Sequence, residues 1–594
     1  MARNKFDIDE RLESSFNVAH IKRCMVYIKR YKKELLSAFA LNIIAMLLSL
    51  SVPLFIRRAL DVSISNSDMR ELFILSGGLI IVFLVMALLY AQKGKLTNIA
   101  GQRIIFDIRN DLFEHLQKLP FSYYDDRPQG KILVRVVNYV NSVSDMLSNG
   151  IINVILEVIN VFFIATFMFF LDVRLTLIAL AGLPVLIGIL FIIKPKQRRA
   201  WQDNANKSSN LNAYLSESIN GIKISQLFVR EKTNRKIFAR ENEKVRKAWI
   251  RAVLISNVIW FSADNLAQLV SALVYACSIL WFVPMVSVGT LIAMTNYTWR
   301  FWQPINNIAM FYNQFINTIA YLERIFETMD EPVLISDRAD ASTLPEIVGE
   351  VEFRNVSFSY ELGRNILENV SFKVAAGESI ALVGPTGAGK TTVVNLLSRF
   401  YDIQNGEILI DGHNISAVTL ASLRQQMGIM LQDSVVFSGT VADNIRYGKL
   451  NATDQQIEQA ARAVNAYSFI DRMQERFETE IKERGSDLSQ GQRQLLSFAR
   501  TFVSDPRILI LDEATSSIDT KTERAVQEGI KNLLKGRTSF VIAHRLSTIQ
   551  GCDRILYIAD KGIAEAGSHD ELMAKKGLYY KLYISQMEES GIAQ

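Results

Sequence analysis

The sequence predicts an all-α membrane domain of six transmembrane helices with long cytoplasmic extensions, fused to a soluble α/β domain. Three observations carry this. Apolar runs long enough to cross a bilayer, roughly 20 residues each, crowd the first half of the 594 residues and are missing from the second. Long basic segments alternate with short connections between those runs. The second half switches to short apolar strands and helical patterns around a glycine-rich strand–loop–helix segment.

Composition supports the membrane reading. Hydrophobic residues make up 49% and charged residues 21%, and mean hydropathy is +0.15, which soluble enzymes of this length rarely reach. Three cysteines (Cys24, Cys277, Cys552) exclude an extracellular disulfide scaffold, and the apolar content excludes long disorder. A net charge of +6 does not require nucleic acid as a partner. Basic inner loops beside membrane lipid account for it equally well.

In chain order, residues 1–15 are polar and mixed in charge, unlike a signal peptide. Residues 18–36 carry Lys22, Arg23, Lys29, Arg30, Lys32 and Lys33 beside apolar side chains, a basic amphipathic helix for the inner membrane face. Spans are expected at 35–56, 72–89, 151–171, 175–193, 253–283 and 288–316. The last two are diluted by Asn, Asp, Gln and Trp, as cavity-lining helices would be. The long segments 93–135 and 194–251 are rich in Lys and Arg and therefore cytoplasmic, so both termini are expected there too. Turn-like breaks at 120–130 and 220–222 interrupt the two segments. The domains are 1–329, a linker at 330–349, and 350–594.

The second domain carries chemistry. The strand run 380–383 enters Gly384, Pro385, Thr386, Gly387, Ala388, Gly389, Lys390 and Thr391, with Thr392 opening an apolar helix. This is GxxxxGK[ST] between strand and helix, the mark of an α/β P-loop nucleotide-binding domain. Backbone N–H groups and the helix N-terminus cradle phosphates, Lys390 reaches the β- and γ-phosphates, and the Thr391 hydroxyl ligates Mg²⁺. ATP and Mg²⁺ are the implied cofactors. A second buried strand run, 508–511, ends in Asp512 and Glu513. Asp512 suits the Mg²⁺ shell and Glu513 the base that polarises the attacking water. Between them, Ser489, Gln490, Gly491 and Gln492 open an apolar helix. Physics alone leaves that start as either an anion site or an ordinary N-cap by Ser489.

Taken together and in order, these features resemble one half-transporter of the exporter-type ATP-binding cassette (ABC) family, closest to the multidrug exporters that work as heterodimers. The resemblance spans the whole chain. It implies that Tyr360 stacks on adenine, although a strand aromatic is the plain alternative. Gln432 resembles the glutamine that senses Mg²⁺, His544 the histidine that holds the γ-phosphate, and residues 488–492 the family signature. Residues 516–519 resemble the segment that crosses to the partner, and Glu483 the acid before the signature that touches coupling elements. Residues 125–130 and 220–223 are the candidate docking elements. The implied activity is ATP hydrolysis coupled to transport in a dimer at a cell membrane, bacterial by resemblance.

One departure matters. The usual signature is Leu-Ser-Gly-Gly-Gln, and this chain has Gln490 at the third place. Gly there permits close approach and unusual φ. The change fits a heterodimer in which the pocket capped by Gln490 is impaired and the pocket of this chain's own Lys390, Glu513 and His544 is active. It also fits a tolerated change in a homodimer.

The cargo is less legible. Trp260, Tyr297, Trp299, Phe301, Trp302, Phe311 and Tyr312 crowd the last two spans, as an amphipathic-drug cavity or as helix packing and interfacial belts. Export of amphipathic compounds leads, a lipid or lipid-linked precursor flippase follows, and an ATP-gated regulator without transport is the reading from another class. Glu157 sits near the middle of the third span on one face with Asn153 and Asn160, either lining a cavity or bonded to a neighbouring helix at Asn265 or Gln268.

Overall fold

The computed structural model describes residues 18–125, 129–143, 151–281, 286–361, 363–430, 435–512, 520–542 and 546–589. Two compact units emerge, one of Met1–Gln117 with Pro128–Glu331, the other of Lys118–Arg127 with Pro332–Gln594.

Among the described residues, the first unit is helical with short turns and no strand. An N-terminal helix α1 (Val18–Arg30) precedes α2 (Lys32–Arg58), α3 (Met69–Lys118), the short α4 (Phe121–Asp125, grouped with the second unit), and α5 (Ile151–Leu171). Then come α6 (Val173–Leu180), α7 (Gly182–Asn220), the short α8 (Ile222–Leu227), α9 (Glu231–Trp281) and α10 (Val288–Met329). Among the described residues, four stretches are long and apolar enough to cross a membrane: Lys32–Ile64, Met69–Lys118, Asn153–Leu171 and Val173–Asn220. The expected sixth span lies within α10 and the expected fifth falls on α9 up to Trp281, with residues 282–283 outside the described residues; these are helices of 42 and 51 residues whose polar side chains dilute the apolar signal.

Helices α3, α7 and α9 run far beyond a bilayer's thickness, since 50 residues of helix reach about 75 Å. Apolar cores hold them together. Leu50, Met168, Leu175, Val274, Met294 and Phe301 are buried in one cluster. Helix α1 is tied to α3, where the hydroxyl of Tyr27 donates to Asp111 at 2.9 Å and Arg30 to Asp107 at 3.0 Å.

The second unit is α/β. Its main sheet has six strands in the order β9 (Gly562–Gly567), β8 (Arg554–Ala559), β3 (Ser379–Val383), β7 (Thr538–Ile542), β6 (Ile508–Asp512) and β5 (Met427–Met430). All pairings are parallel except β8 with β9. The central strands are apolar without alternation because both faces are covered. Ile380, Leu382, Ile510 and Phe540 enter one core, while Ala381, Val383, Leu511 and Val541 enter the other. A second sheet pairs β1 (Val351–Ser359) with β2 (Asn365–Val374) on one side and β4 (Asn405–Ile410) on the other.

The segment expected as a linker is fastened to the second unit. Leu344 and Ile347 join its core, and the Asp411 carboxylate accepts the backbone N–H of Glu350 at 2.7 Å. Residues 118–127 belong to the same unit: Phe121 stacks on Phe400 at 5.3 Å between ring centres, and Tyr401 donates its hydroxyl to Asp125 at 3.0 Å. The short helix here, Phe121–Asp125, ends where the expected docking element 125–130 begins, and residues 126–128 lie outside the described residues. At the other break, α8 carries exposed Ile222, Ile224 and Leu227.

Candidate functional site

Strand β3 delivers the chain to the phosphate loop at the carboxyl end of the parallel sheet, where open α/β sheets bind ligands. Gly384 has φ 145°, and a Cβ there would stand 2.2 Å from the carbonyl oxygen of Ile558. Only glycine fits that turn against β8. Gly389 has φ 108° and caps helix α11 (Lys390–Leu397), so α11 starts at the lysine. The Lys390 ammonium donates to the carbonyls of Gly384 at 2.7 Å and Pro385 at 3.0 Å. Burial pushes its pKa below the ordinary lysine value, and the negative charge of Asp512 opposes that shift. A half-buried ammonium held by two neutral carbonyls in a glycine cradle is a site for a polyphosphate.

The register places the rest. Ile542 pairs with both Leu382 and Asp512, so Asp512 ends β6 level with the phosphate loop. With the Thr391 hydroxyl exposed at the start of α11, this pair offers one carboxylate and one hydroxyl, which suits Mg²⁺ completing its shell from phosphates and water. The ring of Tyr360 is 47% exposed and braced edge-on by Phe358 and Tyr401, at 4.8 and 5.0 Å. Its hydroxyl lies 3.2 Å from that of Thr392. A braced, exposed face beside the phosphate loop fits a nucleobase. Tyr401 is the member of this cluster that sequence reasoning missed, because only the fold brings it beside Tyr360.

At the signature, the structure shows the N-cap of the two readings of the helix start. Ser489 caps helix α12 (Gln490–Ser504) in a reciprocal capping box with Gln492, whose side chain accepts the Ser489 N–H at 2.8 Å. Gln490 is exposed and is the first residue of the helix. It is absent from the positive-φ residues, so Gln490 itself adopts ordinary helical backbone. What Gln490 adds is side-chain bulk at the helix start. Gln432, Glu513, His544 and residues 516–519 lie outside the described residues, as do the side chains of Glu483, Trp260 and Tyr312.

Comparison with known proteins decides the family. Residues 35–304 match the ABC transporter transmembrane region and residues 367–516 the ABC transporter domain. The chain is 34% identical to the "ATP-dependent lipid A-core flippase" of Syntrophus aciditrophicus (strain SB), covering all of this chain and 99% of that protein. It belongs to the ABC transporter family. The exporter is 38% identical to the "Probable multidrug resistance ABC transporter ATP-binding/permease protein YheH" of Bacillus subtilis (strain 168), over 87% of this chain and 76% of that one. A solved structure, "Structure of a bacterial Atm1-family ABC exporter with ATP bound", superposes with a TM-score of 0.78 at 27% identity, covering 93% and 99% of the two chains. The protein is an ATP-hydrolysing ABC exporter with a helical membrane domain.

Within the exporter's membrane unit, the aromatic crowd divides. Tyr297, Phe301 and Trp302 are buried in helix packing. Trp299 is 45% exposed and lines a groove of about 440 Å³ between α9 and α10 with Gln268, Ser271, Tyr275, Thr295 and Asn296. Glu157 is half-buried, and its carboxylate accepts the Asn307 amide of α10 at 2.7 Å and that of Asn160 at 3.5 Å. The expected partners on the fifth span are therefore corrected: Asn265 donates to the backbone of Phe261, and Gln268 lines the groove.

Proposed function

We propose that this chain is one half of a heterodimeric exporter that moves amphipathic compounds across a bacterial cell membrane by alternating access, with both termini and the cassette in the cytoplasm. The heterodimer reading rests on Gln490. A side chain at the start of α12 stands where the signature of one half would approach the γ-phosphate held by the other. This chain's own pocket, completed by a partner's Leu-Ser-Gly-Gly-Gln, is then the active one.

In that pocket Tyr360 supports the adenine and the glycine cradle with Lys390 binds the phosphates. Thr391, Asp512 and Gln432 would hold Mg²⁺, which supplies charge neutralisation between the phosphates when bound. Glu513 polarises the attacking water and His544 orients on the γ-phosphate. Intact Glu513 and His544 favour turnover over an ATP-gated regulator. The exposed helix α8 and the segment at Phe121–Asp125 carry closure of the cassettes to the membrane helices.

A lipid substrate is the second reading, favoured by the name of the flippase relative. Tagging the chain in its native membrane and identifying what co-purifies tests the assembly. A second ABC chain with an unaltered signature, present in equal amount, supports the heterodimer, and recovery of this chain alone as a dimer with two equally active pockets sinks it. ATPase stimulation of that complex by drugs versus lipids tests the cargo.

A further inference from the structure

The first and sixth spans are joined by a seam of polar ties, and one of them fills a gap in the first span's own backbone. Pro53 is buried within α2 and has no N–H, so the carbonyl of Ser49, four residues earlier, lacks its helical donor. The Arg300 guanidinium of α10 donates to that carbonyl at 2.6 Å. The next carbonyl, Leu50, accepts the hydroxyl of Tyr297, whose ring is fully buried. A freed carbonyl at membrane depth has to be satisfied by a neighbouring helix, and an arginine there has to face protein. Here each answers the other.

A third tie closes the seam at the end of the membrane unit away from the long extensions. There α2 runs into a π-helical turn, Ala59–Ile64. The Asp61 carboxylate on this turn accepts the backbone N–H of Gly289 at 2.8 Å and the Ser287 hydroxyl, both at the start of α10. A Cβ at Gly289 would stand 2.6 Å from the Arg57 carbonyl oxygen, so only glycine lets the two backbones meet. The seam runs about 16 Å along α10, from Gly289 to Arg300. Arg58 donates to Glu71 at 2.8 Å and joins α3 to the same part of α2.

Burial divides α2 at the proline. Ala45, Met46, Leu50 and Val52 before it are buried, whereas no residue from 54 to 62 is. Beyond Pro53 the helix is therefore held to α10 chiefly by Asp61. A proline is also where a helix bends without losing a further hydrogen bond, because the ladder is already open. We propose that residues 54–64 are a gate hinged at Pro53, with Arg300 and Tyr297 as its fixed post and Asp61 as its latch on Ser287 and Gly289. Latched, it closes the first span against the sixth; released, it parts them. The proposal rests on the alternating-access reading above and names a seam that opens in each cycle.

The test uses the purified complex in vesicles, with Cys24, Cys277 and Cys552 replaced by alanine and Asp61→Cys paired with Ser287→Cys. A short bis-methanethiosulfonate reagent joins the pair in the observed contact, and a reductant frees it. Transport of ethidium, an amphipathic cation, is expected to be lost on cross-linking and regained on reduction, with ATP binding retained in both. A contact that only stabilises the fold tolerates being made permanent, so transport that survives the cross-link overturns the gate. Where the reduced vesicles hydrolyse ATP without moving the dye, the gate is read from the cross-linking rate, which ATP trapped by Glu513→Gln should slow; an equal rate with and without ATP overturns it. Failure of the wild type to move any amphipathic dye sinks the amphiphile reading alone. If the pair does not react, Pro53→Ala is read instead. It supplies the N–H that Ser49 lacks, so transport per ATP should fall while nucleotide binding stays, and a wild-type ratio overturns the hinge. The loss of thermal stability in Arg300→Met should also shrink to about half or less in the Pro53→Ala background, since the two share one carbonyl. Equal losses in both backgrounds would remove Arg300 from the hinge.

Discussion

The hydroxyl of Tyr360 meets that of Thr392 at 3.2 Å, which ties the exposed ring to the first turn of the helix behind the phosphate loop. Phe358 and Tyr401 hold the same ring edge-on from the protein side. The open face is therefore preorganised, and stacking on an aromatic contributes about 1–3 kcal/mol per base. Tyr360→Ala is expected to raise the KM for ATP about tenfold or more with a smaller change in kcat. Tyr360→Phe loses only the tie to Thr392 and should stay near wild type. ATPase rates over a range of ATP concentrations separate the two, and an unchanged KM in Tyr360→Ala would move the base elsewhere.

Turnover should depend on Glu513 far more than nucleotide binding does. Glu513→Gln keeps Lys390 and Asp512 in place and removes the carboxylate that polarises water. A loss of about 10²-fold or more in hydrolysis is expected, with ATP affinity retained. Near wild-type hydrolysis by the purified mutant complex would show that another residue activates the water.

Affinity for ATP should fall at high pH through Lys390. Burial holds its pKa below the usual lysine value, and phosphate binding needs the ammonium. The protonated form is lost as pH rises through the lowered pKa of the empty site, before a free lysine near 10.4 would titrate. Nucleotide binding measured from about pH 7 to 10 should weaken toward the upper end. Lys390→Arg, which stays charged, should flatten the curve even if it binds more weakly throughout. A wild-type curve as flat as the arginine variant's contradicts the role.

Much of this site was legible along the chain because its parts are local. The glycine cradle, Lys390 and Asp512 each follow from a strand run entering a short motif, and Ser489 with Gln492 is a capping pattern three residues apart. What the chain hid depends on packing. Glu157 announced a polar stripe with Asn153 and Asn160, but its partner proved to be Asn307, because the crossing of α5 and α10 selects the neighbour. Tyr401 joins Tyr360 only after β1 and the loop before β4 are brought together. The φ of Gln490 could not be read either, since it follows from where α12 begins.

The altered signature should matter in only one pocket. Gln490 sits at the first position of α12 in helical backbone, so Gln490→Gly removes bulk without relieving strain, and the loss of a helix-favouring residue costs about 1 kcal/mol at most. Transport is expected to persist in Gln490→Gly, whereas Lys390→Ala abolishes it by emptying the active pocket. Equal loss of transport in both variants would mean that the pocket capped by Gln490 also turns over.

Coupling should run through the ring pair Phe121 and Phe400. Their centres are 5.3 Å apart and stacked, and the Tyr401 hydroxyl reaches Asp125 one helical turn further on. Both contacts hold the short helix Phe121–Asp125, which follows the long helix α3 in the chain, against the nucleotide-binding fold. An aromatic pair adds about 0.5–1.5 kcal/mol beyond burial, too little to unfold the unit and enough to loosen a mechanical link. Phe121→Ala is therefore expected to keep nucleotide binding and most ATP hydrolysis while lowering the amount transported per ATP. Tyr401→Phe, which removes only the bond to Asp125, should produce a weaker form of the same defect. Combining Phe121→Ala with Phe400→Ala should add little to either single change, since the two rings share one contact. Transport and hydrolysis measured on the same vesicles give the ratio directly. A ratio in Phe121→Ala equal to that of the wild type would mean that the stack anchors the segment without relaying the motion.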